Sequence, residues 1–167
     1  MAIAVELVRT LREQTGAGIL ECKLALEASQ GDLKQAADAL RLKGFAQAAK
    51  RSDRTTDQGV IEAYIHAGGR LGALVELGCE TDFVARTPEF KELAHDIAMQ
   101  VVAMAPEYLD KADMEEGDTR PVAQVSLLQQ PFIRDNSCSV GDMVQELAAK
   151  VGENVRVLRF TRLALGE

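Results

Sequence analysis

Val60-Ile61-Glu62-Ala63-Tyr64-Ile65-His66, then Ala67-Gly68-Gly69-Arg70, then Leu71-Gly72-Ala73-Leu74-Val75-Glu76-Leu77-Gly78-Cys79: this stretch decides the fold. Its two flanks alternate apolar side chains with others, the period of a half-buried strand. The Gly-Gly pair between them supplies the backbone freedom that a tight hairpin needs. In the second strand Leu71, Ala73, Val75, Leu77 and Cys79 share one face, while Leu74 and Glu76 point the other way.

C-terminal to the hairpin, helices alternate with irregular chain. Thr87-Pro88 has the form of an N-cap followed by proline at the first helical position. Phe90, Leu93, Ala94, Ile97 and Val101 then give one apolar stripe. Residues 105–125 are acidic and without period, and are expected to form a loop. Ser139 is the natural cap of a further helix with Val140, Met143, Val144, Leu147 and Val151 inward and Gly152 as its stop. Asn154–Leu165 alternates again and is expected to add a strand, with Val155, Val157 and Leu163 on one face. A small antiparallel sheet packed with helices is an α+β fold.

The N-terminal side has a different period. Leu7, Val8 and Leu11 recur at helical spacing, and Thr15-Gly16-Ala17-Gly18 breaks the pattern. Ile19, Cys22 and Leu26 resume it up to Gly31, and Asp32, with Gln35 three residues on, opens a third helix. Leu33, Ala36, Ala37 and Leu40 form its stripe. Gly44 is expected to end it, with a short basic helical stretch, Phe45–Arg51, following. Ser52–Gly59 has no apolar period. The expected division is a three-helix module at 1–51, a linker at 52–59 and an α+β core at 60–167.

Composition bounds the function. With 167 residues, a chain buries roughly 70% of its extended surface on folding, so it needs no metal or disulfide staple. Nineteen Lys/Arg against 26 Asp/Glu give a net charge of −7. The first 54 residues hold nine basic and seven acidic side chains, which leaves −9 on the remainder. Such a balance disfavours direct nucleic-acid binding, which draws on phosphate neutralisation. Cys22, Cys79 and Cys138 fit neither a disulfide framework nor zinc-ligand spacing, and read as reduced thiols of a cytoplasmic protein. No signal peptide and no membrane-spanning run is expected.

The chemistry-bearing motifs are few. Gly16-x-Gly18 follows a helix, whereas a phosphate loop follows a strand, so it reads as a turn that exposes Ala17 and Ile19. His66 and His95 have no partner at ligand spacing, and no catalytic set is present, so neither a metal, a cofactor nor an enzymatic reaction is expected. One segment stands apart: Cys79-Glu80-Thr81-Asp82-Phe83-Val84-Ala85-Arg86, between a strand and a helix, where functional loops sit. Two readings apply. Thr81 or Asp82 caps a helical turn and Phe83 tucks into the core, or Phe83 is an exposed aromatic anchor beside an acid.

Thr81-Asp82-Phe83-Val84 resembles the signature of the translation elongation factor Ts family. Thr15-Gly16-Ala17-Gly18 with Cys22-Lys23 and Ala25-Leu26 is similar to that family's N-terminal signature. Ala48-Ala49-Lys50-Arg51, Leu74 through Arg86, Leu127-Leu128-Gln129-Gln130-Pro131-Phe132 and Gly152-Glu153-Asn154-Val155 resemble its later motifs, in the family's order. Three features differ. Gly78 stands where the family commonly has Asn, the stretch from about Gly117 to Ser126 is shorter than in most members, and there is one core copy where long members have two.

The resemblance implies a guanine-nucleotide exchange factor for the GTPase elongation factor Tu. The first module is then ubiquitin-associated-like, and Thr81, Asp82, Phe83 and Val84 disturb the partner's Mg²⁺ and phosphate site. Ile19, Leu20 and Lys23 hold a second patch of the GTPase, internal bundle packing being the other reading for Ile19. Short members imply a homodimer through the sheet. An inactive adaptor with the same fold and a carboxylate hydrolase using His66 are the competing classes; GDP release and a metal assay separate them.

Overall fold

The computed structural model describes residues 3–167; Met1 and Ala2, the first residues of the expected module, lie outside them. The N-terminal helices are α1 (Val5–Thr15), α2 (Ile19–Ala28) and α3 (Leu33–Ala49). α1 ends at Gly16, which adopts φ 68° and donates its N–H to the Arg12 carbonyl, the left-handed closure that glycine accepts without steric cost. Asp32 caps α3 by accepting the Gln35 N–H at 2.9 Å. Leu11, Cys22, Leu26 and Ala36 form a core of their own, with Leu7, Val8, Leu33 and Leu40 packed around it.

The expected break at Gly44 does not occur. α3 continues for 17 residues through Ala49. A glycine inside a helix costs about 1 kcal/mol relative to alanine, so its presence needs a reason. A Cβ at Gly44 would lie 2.9 Å from the Cβ of Ala149 on α7 (Val140–Val151). Gly44 is therefore a site of close helix approach rather than a stop. The far end of α3 contributes Ala48 to the larger core. Arg41 pairs with Glu146 across the same junction at 2.6 Å.

Three antiparallel strands form the main sheet in the order β1 (Gln58–Ile65), β2 (Leu71–Cys79) and β5 (Val155–Ala164). The β1–β2 register runs from Gln58 opposite Cys79 to Ile65 opposite Gly72, with Gly68 and Gly69 both at positive φ in the turn. Between β2 and β5 the register shifts: Glu76 faces Arg159 while Leu77 faces Val157, leaving Leu158 as an extra residue. That bulge corrects the expected strand pattern, because an inserted residue moves every later side chain to the opposite face. Val155 and Val157 are buried, but beyond the bulge Phe160 packs inward and Leu163 is 71% exposed.

α5 (Pro88–Met104) and α7 cover the inner face. Val75 and Leu77 from β2, Phe90, Ile97 and Val101 from α5 and Val140 from α7 are fully buried. Thr87 caps α5 with Pro88 in its first turn, and Ser139 and Asp142 form a reciprocal capping box on α7. The expected loop at 105–125 is ordered by a short 3₁₀ turn, Lys111–Asp113, and by α6 (Val122–Val125). Tyr108 donates to Asp118, and Arg120 pairs with both Asp118 and Glu107. A small hairpin unforeseen in the sequence follows, β3 (Pro131–Phe132) and β4 (Asp135–Ser139).

The segment expected as a linker is tied to the core at two carbonyls. Gln58 and Gly59 already belong to β1. The buried Asn154 side chain donates to the carbonyls of Ser52 (3.0 Å) and Arg54 (2.7 Å). Among the described residues no helix is long and apolar enough to cross a membrane. The architecture is α+β, with a three-helix module joined to a sheet-and-helix core.

Candidate functional site

β2 ends at Cys79, and within six residues the chain turns into α4 (Asp82–Ala85) and then reverses into α5. Thr81 sits in extended backbone, and its hydroxyl accepts the Val84 N–H, which starts α4. Thr87 closes the turn by donating its hydroxyl to the Val84 carbonyl at 2.8 Å while capping α5. Side-chain capping at both ends thus fixes a single helical turn that is too short to be stable alone.

The turn divides its residues sharply. Val84 and Ala85 point into the core. Phe83 projects into solvent with 78% of its surface exposed, the most exposed large apolar side chain of this turn. Asp82 is half-buried and pairs with Arg86 at 2.7 Å. Both sequence readings hold a part: Thr81 is a cap, yet Phe83 is outside. Of the four expected contact residues, Asp82 and Phe83 have solvent-accessible side chains, Thr81 holds the turn, and Val84 anchors it from within.

Cys79 is buried beneath this loop and donates its thiol to the Thr81 carbonyl at 3.1 Å. Burial first, and the nearby Glu153 carboxylate second, push that thiol up, which keeps it a neutral donor. In the sequence Glu153 is marked only by the Gly152-Glu153-Asn154-Val155 motif. In the structure its carboxylate accepts the N–H groups of Glu80 and Thr81 and the Thr81 hydroxyl. A contact across more than 70 residues leaves no trace in local spacing, and only the acid next to the helix-ending Gly152 marks the place.

The second expected patch lies on α2. Ile19 and Leu20 are 62% and 68% exposed, so Ile19 does not join Cys22 and Leu26 in the bundle core. Lys23 lies on the exposed side of the helix near Glu27, 3.8 Å away. Leu24, also exposed, extends the patch by one residue that sequence reasoning left out. The two histidines sit elsewhere, His95 on Glu62 at 3.0 Å and His66 on the Tyr64 hydroxyl at 3.2 Å.

Known proteins are similar to this chain along its length. A family model described as Elongation factor TS matches residues 42–119. An elongation factor Ts of Carboxydothermus hydrogenoformans is 44% identical over 99% of this chain and 90% of its own length. One from Thermotoga maritima is 45% identical over 100% and 98%, and one from Coprothermobacter proteolyticus is 43% identical over the whole of both. Identity at that level along the full length, over a fold with Thr81–Val84 on an exposed turn, means that the chain belongs to the elongation factor Ts family.

Proposed function

We propose that this protein is a non-enzymatic guanine-nucleotide exchange factor for elongation factor Tu in the cytoplasm. It binds the GDP form, loosens the partner's Mg²⁺ and phosphate site through the Thr81–Val84 loop, and is displaced when GTP binds. The observation that carries this reading is Phe83: a large apolar side chain, 78% exposed, on a turn whose neighbours are capped and buried. A rigid, protruding aromatic is a low-entropy anchor for a partner's pocket.

Magnitudes decide whether one anchor suffices. A GDP held at about nanomolar Kd, associating at ~10⁶ M⁻¹s⁻¹, leaves at only ~10⁻³ s⁻¹. Accelerating release a thousandfold takes roughly 4 kcal/mol. Hot-spot aromatics supply about 2–4 kcal/mol each, so Phe83 accounts for a large share and other contacts complete it. Mg²⁺ neutralises phosphate charge, and shifting the elements that hold it weakens GDP where it is most tightly bound. Asp82 helps to dock that region. Linkage makes the coupling reciprocal, so nucleotide lowers the factor's affinity by the same ratio, and GTP expels it.

The α2 patch of Ile19, Leu20 and Lys23, on a module read as ubiquitin-associated-like, grips a second site of the GTPase. The outer face of the sheet carries Ile61, Ile65, Leu74 and Leu163, all exposed. An apolar sheet face of that kind needs cover, and a second copy of the chain placed by a two-fold axis supplies it. The deciding experiment is stopped-flow release of a fluorescent GDP analogue from elongation factor Tu. Phe83→Ala should melt like the parent yet slow exchange at least about tenfold, equivalent to ~1.4 kcal/mol of lost barrier lowering. Parent-like exchange by Phe83→Ala would refute the wedge. A parent chain that binds the GTPase without accelerating release would leave the adaptor reading standing.

A further inference from the structure

We infer that Glu153 is a positioning residue for the loop that presents Phe83, acting through the backbone of Glu80 and the hydroxyl of Thr81. The inference deepens the exchange-factor reading and rests on it. At Cys79, opposite Val155, the β2–β5 ladder ends. The next two N–H groups, of Glu80 and Thr81, therefore have no strand partner. Glu153 supplies one: its Oε2 accepts Glu80 N–H at 3.1 Å and Thr81 N–H at 3.0 Å, and its Oε1 accepts the Thr81 hydroxyl at 2.6 Å. Bonds to an ionised acceptor are about twice as strong as neutral ones.

The clasp is reciprocal. Glu80 turns its own carboxylate back to accept the Asn154 N–H at 2.6 Å, with the Arg54 guanidinium at 3.3 Å. Two neighbouring turns, 80–81 and 153–154, thus each lend a carboxylate to the other's amides. Asn154 in turn holds the 52–54 backbone. The connection to Phe83 runs through one oxygen atom. The Thr81 hydroxyl spends its only hydrogen on Glu153, which leaves its lone pairs for the Val84 N–H. That bond starts α4, and Phe83 is the second residue of α4. Without the carboxylate, the hydroxyl is free to rotate and to donate elsewhere, the two amides are left unpaired, and the turn loses its fixed direction. A misplacement of about 1 Å at a working contact can cost up to a hundredfold in rate.

The test uses the full-length chain in five forms: parent, Phe83→Ala, Glu153→Ala, Glu153→Gln and the Phe83→Ala/Glu153→Ala double variant. Glutamine keeps one acceptor oxygen for the two amides but sets its NH₂ against the Thr81 hydroxyl, whose hydrogen loses its acceptor, so both Glu153 variants should slow GDP release about tenfold. The double variant should be no slower than Phe83→Ala alone, because Glu153 acts through Phe83. Amide hydrogen exchange supplies the readout independent of the GTPase: Glu80 and Thr81 should lose protection in Glu153→Ala, while Val75 in the middle of β2 keeps its own. Parental protection at Glu80 and Thr81 overturns the clasp. Parental exchange rates in both Glu153 variants, with a slow Phe83→Ala, overturn its role in positioning. Losses that multiply in the double variant do the same, since they show two independent effects. If Phe83→Ala is itself as fast as an active parent, the wedge fails and the positioning inference fails with it; if the parent does not accelerate release, the exchange reading fails, while the amide data still show whether the clasp exists.

Discussion

Replacing Gly44 by alanine sets two known effects against each other. In an unconstrained helix interior the change stabilises by about 1 kcal/mol, because glycine has more backbone freedom to lose. Here the new Cβ would sit 2.9 Å from the Ala149 Cβ, closer than methyl carbons approach. Overpacking of this kind costs about 1–3 kcal/mol. The clash is with another helix's Cβ, not with a flexible tip, so relief requires α3 and α7 to separate. The net expectation is a loss of about 0–2 kcal/mol where propensity alone gives a gain. Ala149→Gly removes the opposing methyl and should by itself cost about 1 kcal/mol of helix propensity. In that background Gly44→Ala should become stabilising, with a coupling of roughly 1–3 kcal/mol in the double-mutant cycle. Urea denaturation of the four proteins measures all the terms. A Gly44→Ala variant that gains the full propensity term, or a cycle additive to within about 0.5 kcal/mol, would refute the close approach.

The remaining predictions concern other levels of the structure. Phe90→Ala, at a fully buried site, should cost ~3–5 kcal/mol in denaturant titration, whereas Phe83→Ala should leave the midpoint nearly unmoved. The Arg120 guanidinium and backbone N–H, with the Tyr108 hydroxyl, hold the Asp118 carboxyl well below the usual carboxylate range. A carboxyl with a depressed folded pKa adds stability above its unfolded value, about pH 4, and loses it as pH falls further. Arg120→Ala should therefore melt earlier than the parent at pH 7, and the gap should narrow as pH drops below about 4. Light scattering at micromolar concentration should give twice the chain mass. Leu163→Glu, on the outer sheet face, should give a monomer that still exchanges nucleotide; a monomeric parent would remove the dimer.

How far the sequence could be read follows physical lines. The β1–β2 hairpin was legible because two alternating runs and a Gly-Gly turn are all local signals. The caps at Thr87 and Ser139 were legible for the same reason. The face of Leu163 was not, because one extra residue at Leu158 inverts everything after it without altering the alternation itself. Gly44 was misread because a glycine that ends a helix and a glycine that admits a neighbouring helix look identical until the neighbour is known. The candidate loop was half legible. Thr81 carries a capping signal, but the direction of Phe83 depends on a turn fixed from the far side by Glu153, 72 positions away from Thr81. Periodicity alone cannot decide the exposure of Ile19, since it places the residue on the same stripe as Cys22 and Leu26.

On the proposed two-site reading, the unbroken course of α3 bears on how the protein lets go. Its 17 residues make a rod about 26 Å long, held to α2 by the Lys43–Glu21 pair at 2.8 Å and to the core that bears Phe83 through Gly44 and Ala48. Two prongs on one stiff frame behave as a bivalent ligand whose second contact is already at high effective concentration once the first is made. The gain in avidity has a mechanical counterpart. A flexible tether would let one prong stay seated while the partner's surface rotated beneath the other. A rigid fork cannot follow such a rotation, so a small rearrangement of the GTPase breaks the match at both points together. On that reading, stiffness at Gly44 makes the complex tight in one partner conformation and quick to dissolve in the next.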